Sequence, residues 1–242
     1  MSSPPLRPEP PLKRMFDAVP RRYDLLNRVL TLGRDERWRR RAARRCLEGS
    51  PLRVLDLCCG TGDLTRHLAR LAKSGTEIFG LDYSQGMLDV AQAKLIAANL
   101  ERPVRFIAGD AAAMKFPEGY FDAVGIAFAF RNLTWRNPLR ERALGEIRRV
   151  LRPGGRFIIV ETSQPAGCVL RKGFHAYLKS FAGPVGTVLS RHPSAYRYLA
   201  ESARKFYGPG EVTTMLQSAG FELVSAEPLL GGAAAIHVVR KR

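Results

Sequence analysis

Three aspartates, Asp56, Asp82 and Asp110, stand at or beside the ends of short apolar runs, each close to a glycine. A carboxylate there can accept hydrogen bonds from two donors at once, which suits hydroxyl, amino or ammonium groups of a ligand. The densest such stretch is Val54-Leu55-Asp56-Leu57-Cys58-Cys59-Gly60-Thr61-Gly62-Asp63, followed by helix-compatible residues from Leu64 to Lys73. A strand, a tight turn and a helix N-terminus bring backbone N–H groups against a nucleotide-like ligand. Thr65 occupies the place of the third glycine in a dinucleotide fingerprint, and no Gly-Lys-Ser/Thr ending marks a phosphate loop. Asp56 therefore points to a ligand with hydroxyl or ammonium groups rather than a pyrophosphate. Taken alone, the stretch is equally compatible with a plain strand-to-helix turn.

The later strand ends add to it. Asp82, in Gly80-Leu81-Asp82-Tyr83-Ser84, lies about twenty residues beyond the glycines, where an acid accepts both hydroxyls of a ribose. Its alternative is to cap the helix that starts near Gln85, a place Ser84 could also take. In Gly109-Asp110-Ala111, Asp110 could accept from an adenine amino group while the Ala111 N–H meets the ring. A fourth run, Phe121 to Ala127, follows. Four strand ends in order supply parts for a nucleoside ligand.

The elements that must position these residues are legible as an alternation. Strands are expected at Arg53–Leu57, Glu77–Leu81, Val104–Ala108, Phe121–Ala127 and Phe157–Glu161, and helices at Leu64–Lys73, Gln85–Ala98, Leu139–Val150 and Pro209–Ala219. A late pair, Glu222–Glu227 and Ala235–Arg240, has a short glycine-containing connection and should form an antiparallel hairpin. This is an α/β chain: a Rossmann-like, mostly parallel sheet ending in an antiparallel hairpin, with helices on both faces. Residues 1–13 read as a proline-rich disordered tail without the apolar core of a signal peptide. Residues 14–242 read as one domain, in which 14–48 form a helical cover and 165–207 an aromatic-rich helical insertion over the substrate.

Formal net charge is +17, from 39 basic against 22 acidic residues. Arginine is dense between Arg34 and Arg45, with Arg37, Arg39, Arg40, Arg41 and Arg44 between them. Such a surface either is simply solvated or meets an anionic partner, nucleic acid or an acidic membrane. No run of about 18 apolar residues is present, which excludes a spanning helix. Cys46, Cys58, Cys59 and Cys168 lack zinc-ligand spacing and read as reduced packing residues of a cytosolic protein, with Cys58 and Cys59 on opposite faces of the first strand.

Longer motifs carry a specific resemblance. Tyr23-Asp24-Leu25-Leu26-Asn27-Arg28-Val29-Leu30-Thr31-Leu32-Gly33-Arg34-Asp35-Glu36-Arg37-Trp38 resembles the N-terminal signature of the UbiE/MenG family of quinone C-methyltransferases. The run from Arg149 to Ser163 resembles its second signature, Phe128 to Leu133 its Arg-Asn loop, and Ala195 to Ser202 its late tyrosine segment. The first signature departs from the usual pattern at Leu26, Thr31 and, most sharply, Asp35, where the family usually has histidine. Ala127 stands where serine is common, and Trp135 where an acid is usual.

The resemblance implies a class I fold that binds S-adenosylmethionine (SAM), needs no metal, and methylates a ring carbon of a polyprenylated quinol, demethylmenaquinol above all. It implies that Thr61 lies in the cofactor turn, that Asp82 holds the ribose, that Asp110 and Ala111 read adenine, and that Ala127 lies beside the methionine portion. Asp56, Gly60 and Gly62 complete the turn on physical grounds. Catalytic candidates are Arg131, whose charge could stabilise a phenolate, Asn132, as a hydrogen-bond partner for a ring oxygen, and Tyr23 and Tyr196, with Asp24 and Asp35 behind them. A lipid acceptor implies a cytoplasmic enzyme peripheral to the inner face of the membrane, with the arginine run against anionic lipid. A homodimer is left open, and no nucleic-acid partner is expected. Three alternatives stay in view: another small acceptor in the same fold, an RNA methyltransferase motivated by the charge, and a non-catalytic SAM-binding protein.

Overall fold

The computed structural model of the protein describes residues 24, 27, 28, 31–100, 102–182 and 201–242. The expected tail, Tyr23, and the late tyrosine segment through residue 200 with Tyr196 lie outside the described residues. Along the chain run α1 (Asp35–Leu47), β1 (Arg53–Leu57), α2 (Asp63–Leu71), β2 (Glu77–Asp82), α3 (Gln85–Ala97), β3 (Val104–Ala108) and β4 (Phe121–Ala127). Then follow α4 (Phe130–Thr134), α5 (Arg140–Val150), β5 (Leu151–Thr162), α6 (Cys168–Tyr177), α7 (Pro209–Ser218), β6 (Phe221–Leu229) and β7 (Ala234–Lys241).

The strands make one sheet in the order β3-β2-β1-β4-β5-β7-β6. The first five are parallel, while β7 runs antiparallel to both β5 and β6. The chain starts in the middle of the sheet at β1, builds outward to β3, then returns to β4 on the other side of β1. That reversal opens a crevice at the carboxyl ends of the central strands, the place where such sheets bind ligands.

Alternation along the strands sends side chains to two cores. On one face Leu55, Leu57, Val124, Ile126, Phe157 and Ile159 pack with Leu144 and Ile147 of α5 and Leu216 of α7. On the other, Val54, Ala123, Ile158 and Val160 pack with Trp38, Ala42 and Cys46 of α1 and Leu64 and Leu68 of α2. Each buried large aliphatic or aromatic side chain contributes about 1.5–3 kcal/mol of transfer free energy. Helix α1 thus belongs to the fold's second layer, and it lies close. A Cβ at Gly125 of β4 would come 2.9 Å from the Cys46 Sγ and 3.2 Å from Leu64.

The strands appear where alternation placed them, with shifts at the ends of β2, β5, β6 and β7. Strand β5 starts at Leu151 rather than Phe157, because Leu151 pairs with Phe121 before the chain bulges and rejoins at Arg156–Ala123. Strand β1 ends at Leu57, so Cys58 and Cys59 lie in the turn, Cys58 with φ +53°. All four cysteines are free, and burial pushes the Cys58 and Cys59 thiols up, which keeps them unreactive. Helix α4 went unread because five residues carry too little periodicity to register.

Candidate active site

One cavity of about 210 Å³ collects the strand ends. Asp56, Gly60, Thr61, Asp82, Asp110, Ala111, Ala127 and Asn132 all line it, together with Asp24, Arg39, Asp63, Ala129, Leu133, Asn137 and Leu139. Residues read separately from the sequence therefore converge, because each follows or ends a parallel strand of the same sheet. Gly62 lies within the same turn but does not itself line the cavity.

The turn between β1 and α2 is built from backbone geometry. Gly62 caps α2 at φ +79°, and a Cβ there would stand 2.8 Å from the Ala91 Cβ of α3. Only glycine accommodates both the left-handed backbone and that approach. Gly60, at φ +53°, donates its N–H to Asp82 Oδ2 at 2.8 Å. Asp82 Oδ1 accepts from the Ser84 N–H at 2.9 Å. Asp82 thus braces the turn from the neighbouring strand, while the cap of α3 is Ser84, whose side chain accepts from the Met87 N–H. The Asp82 carboxylate, an acceptor only, also lines the cavity. Asp110 is fixed in the same manner: its Oδ1 accepts from the Ala112 N–H at 2.8 Å.

Asp56 is 1% exposed and accepts a hydrogen bond from the Thr65 hydroxyl. Burial pushes its carboxyl up to about 7, against the opposing pull of Thr65 and Arg39. Asp63 is held the other way. Burial raises it, but Arg39 and Lys94 outweigh that and leave it below the ordinary carboxylate range.

Asp24, upstream of α1, is fastened directly to the glycine turn. The Thr61 hydroxyl donates to Asp24 Oδ1 at 2.6 Å, and Lys94 Nζ of α3 donates to Asp24, to Thr61 at 2.9 Å and to Asp63 at 2.9 Å. Nothing in the local sequence signals this knot, since its members come from three separate parts of the chain. Asp35, the sharpest departure from the family signature, is 2% exposed and pairs with Arg39 one turn on.

The Arg-Asn loop divides into two roles. Asn132 lines the cavity, and its side-chain oxygen is buried without a hydrogen-bond partner among the described residues. Arg131 does not line the cavity. Its guanidinium, 1% exposed, donates to Glu161 Oε1 at 2.8 Å and to the Thr162 hydroxyl at 2.6 Å. The charge that the sequence offered to a phenolate is engaged by Glu161 at the end of β5.

The arginine run is likewise mixed. Arg34, Arg37, Arg40 and Arg44 are exposed, whereas Arg39 is buried, Arg41 pairs with Glu227 and Arg45 with Glu48. No helix among the described residues is long and apolar enough to cross a membrane.

The donor set fits a cationic nucleoside. Among the described residues that line it, the cavity of this +17 chain carries Asp24, Asp56, Asp63, Asp82 and Asp110 against the cation Arg39, with Lys94 behind Asp24 and Asp63. Such a wall favours a ligand carrying positive charge and hydroxyl groups.

Comparison with known proteins agrees with this geometry. The model of the ubiE/COQ5 methyltransferase family matches residues 7–241. A demethylmenaquinone methyltransferase of Thermus thermophilus is 45% identical over 93% of this chain and 98% of its own. A ubiquinone/menaquinone biosynthesis C-methyltransferase UbiE of Stutzerimonas stutzeri is 36% identical over 92% of this chain and 86% of its own. Among solved structures, a SAM-dependent methyltransferase from Aquifex aeolicus superposes with a TM-score of 0.56 at 17% identity, covering 82% of this chain and 88% of that one. The [4+2]-cyclase SpnF superposes with 0.66 at 18%, covering 95% and 94%. The structural likenesses show the fold alone, the class I methyltransferase sheet, and a cyclase on that sheet illustrates that fold does not decide the reaction.

Proposed function

The chain belongs to the ubiE/COQ5 methyltransferase family, and from that premise we propose that it methylates a ring carbon of a polyprenylated quinol using S-adenosylmethionine, with demethylmenaquinol the favoured acceptor. The observation that carries the proposal is the acidic cavity at the strand ends, with apolar Ala129, Leu133 and Leu139 in its lining.

In this reading Asp82 receives the ribose hydroxyls, Asp110 and Ala111 the adenine, and Asp56, Gly60, Thr61 and Gly62 shape the methionine end, with Ala127 beside it. Bound there, SAM supplies an electrophilic methyl group on a positively charged sulfur. The remaining task is alignment and exclusion of water, which is where positioning contributes most.

The acceptor's chemistry is constrained by its partner. A quinone ring carbon is electron-poor, whereas a quinol hydroxyl feeds density into the ring. The Asn132 oxygen accepts hydrogen bonds, so it can take one from a quinol hydroxyl. Arg131 acts through position: its own backbone N–H and guanidinium both bond Glu161, which fixes the turn that carries Asn132. Asp24 lines the cavity too, but Thr61 and Lys94 engage its carboxylate beside the glycine turn. Tyr23 and Tyr196 stay candidates on the resemblance alone.

A polyprenyl acceptor resides in a bilayer, so the enzyme works at a cytoplasmic membrane surface. Arg34, Arg37, Arg40 and Arg44 supply exposed charge for anionic lipid, at roughly 1 kcal/mol each near such a surface. Equal flotation with neutral and anionic vesicles at low salt would remove that part.

The test of the whole is purified protein with labelled SAM and three acceptors: chemically reduced demethylmenaquinol, a reduced ubiquinol precursor and bulk tRNA. Label in the first is expected. Label only in tRNA contradicts the proposal, and label in none points to another small acceptor.

A further inference from the structure

Arg39 is the one cation among the described residues that line the cavity, and it is 4% exposed. A guanidinium so placed must be paired. Its Nη1 donates to Asp35, Asp63 Oδ2 lies 3.8 Å away, and its Cζ sits 4.8 Å from the centre of the Phe128 ring. These neighbours fix its address. Asp63 opens α2 directly after the glycine turn, and Phe128 follows the last residue of β4. Arg39 therefore stands at the β1–β4 side of the crevice. Asp82 and Asp110 stand on the β2–β3 side, across the sheet order β3-β2-β1-β4.

Charge complementarity then has a direction. Aspartates around the cavity match hydroxyls and cationic groups, and they repel a carboxylate. A guanidinium presents further N–H donors in a planar fork beyond the one that Asp35 engages, and that fork matches a carboxylate.

We propose that Arg39, held from behind by Asp35, is the receptor for the carboxylate of the cofactor's methionine portion. This rests on the reading of the cavity as a SAM site. It also gives Asp35 a task in place of the usual histidine: an acid four residues before a basic residue on one helix face fixes that residue's direction. Asp35 is thus a positioning residue for a binding residue, and the pair makes α1 part of the cofactor site and not only a cover.

The test is calorimetric binding, without acceptor, of SAM and of decarboxylated SAM, which keeps the sulfonium and the amine. In the wild type the ratio of the two affinities sets the baseline. Arg39→Gln is expected to shift that ratio against SAM by tenfold or more, with Arg39→Lys intermediate and Asp35→Asn shifting it in the same sense. Because Arg39→Gln leaves Asp35 buried alone, the double variant D35N/R39Q guards against misfolding, and the same ratio shift is expected in it. If both affinities fall by one factor and the ratio stays at the wild-type value, Arg39 is only structural and the proposal is overturned while the SAM reading stands. If the wild type binds neither compound, the SAM reading fails and takes this proposal with it.

Discussion

Arg131 Nη1 donates to Glu161 Oε1 over 2.8 Å, between side chains only 2% and 4% exposed. The pair joins the first turn of α4 to the end of β5, and Thr162 closes it by donating its own N–H and hydroxyl to the same carboxylate oxygen at 2.8 Å each. A buried pair of this kind is costly to break and modest in net worth, because removing one member strands the other's charge.

Arg131→Met is accordingly expected to lower unfolding free energy by about 3–5 kcal/mol, read from urea denaturation. R131M/E161M should lose less than the single variant. If Arg131→Met kept wild-type stability but no turnover, the guanidinium would be acting on substrate.

Asp82 supports both the turn and, in this account, the ribose. Asp82→Asn keeps one acceptor oxygen and the size, so the protein should fold while SAM affinity falls roughly 10- to 100-fold, the equivalent of about 1.5–3 kcal/mol for a hydrogen bond to a charged group. Titration calorimetry reads it directly. Unchanged affinity would reduce Asp82 to a brace for Gly60 and Ser84.

Two glycines of the same turn should behave differently. Gly62→Ala meets both a φ of +79° and an Ala91 Cβ at 2.8 Å, so overpacking adds about 1–3 kcal/mol to the backbone strain. Gly60→Ala meets no atom within 4 Å, and its cost is confined to the backbone term of about 1–2 kcal/mol. Thermal unfolding of the two variants should rank Gly62→Ala clearly lower.

How much of this was open to sequence reading depended on distance along the chain. Asp56, Asp82, Asp110 and the glycine turn announce themselves because each is a local strand-end pattern, and parallel strands must then bring those ends together. The mostly parallel sheet with its late hairpin follows from the same alternation, whereas the order β3-β2-β1-β4-β5-β7-β6 has no local signal and is read from the fold. Arg131 could not be placed: its partner Glu161 is 30 residues away, and burial of an arginine leaves no periodic signal. Likewise the knot of Asp24, Thr61 and Lys94 spans 37 and 33 residues, and no spacing rule connects them. Arg39 was hidden for another reason. It sits in a run of arginines whose obvious reading is a solvated surface, and only the fold turns that one inward.

Asp56 gives the protein a pH signature. Its folded carboxyl, raised by burial to about 7, binds a proton more tightly than the unfolded chain with its ordinary value of 3.8. A raised acid contributes stability that is present below 3.8 and lost as pH rises toward 7, with a slope approaching about 1.4 kcal/mol per pH unit between. Asp56→Asn removes this titration. Thermal melts of ligand-free protein from pH 5 to 8 should therefore decline less steeply in Asp56→Asn than in the wild type, and parallel curves would place the proton elsewhere.

Ring methylation of a reduced acceptor is the central claim, and mass spectrometry of matched incubations tests it most directly. Demethylmenaquinone held reduced and the same compound held oxidised are each given SAM and the protein, and the ring is examined for one added methyl on carbon. The account predicts that methyl in the reduced sample alone. Methylation on oxygen, or equal methylation of the oxidised ring, would contradict it.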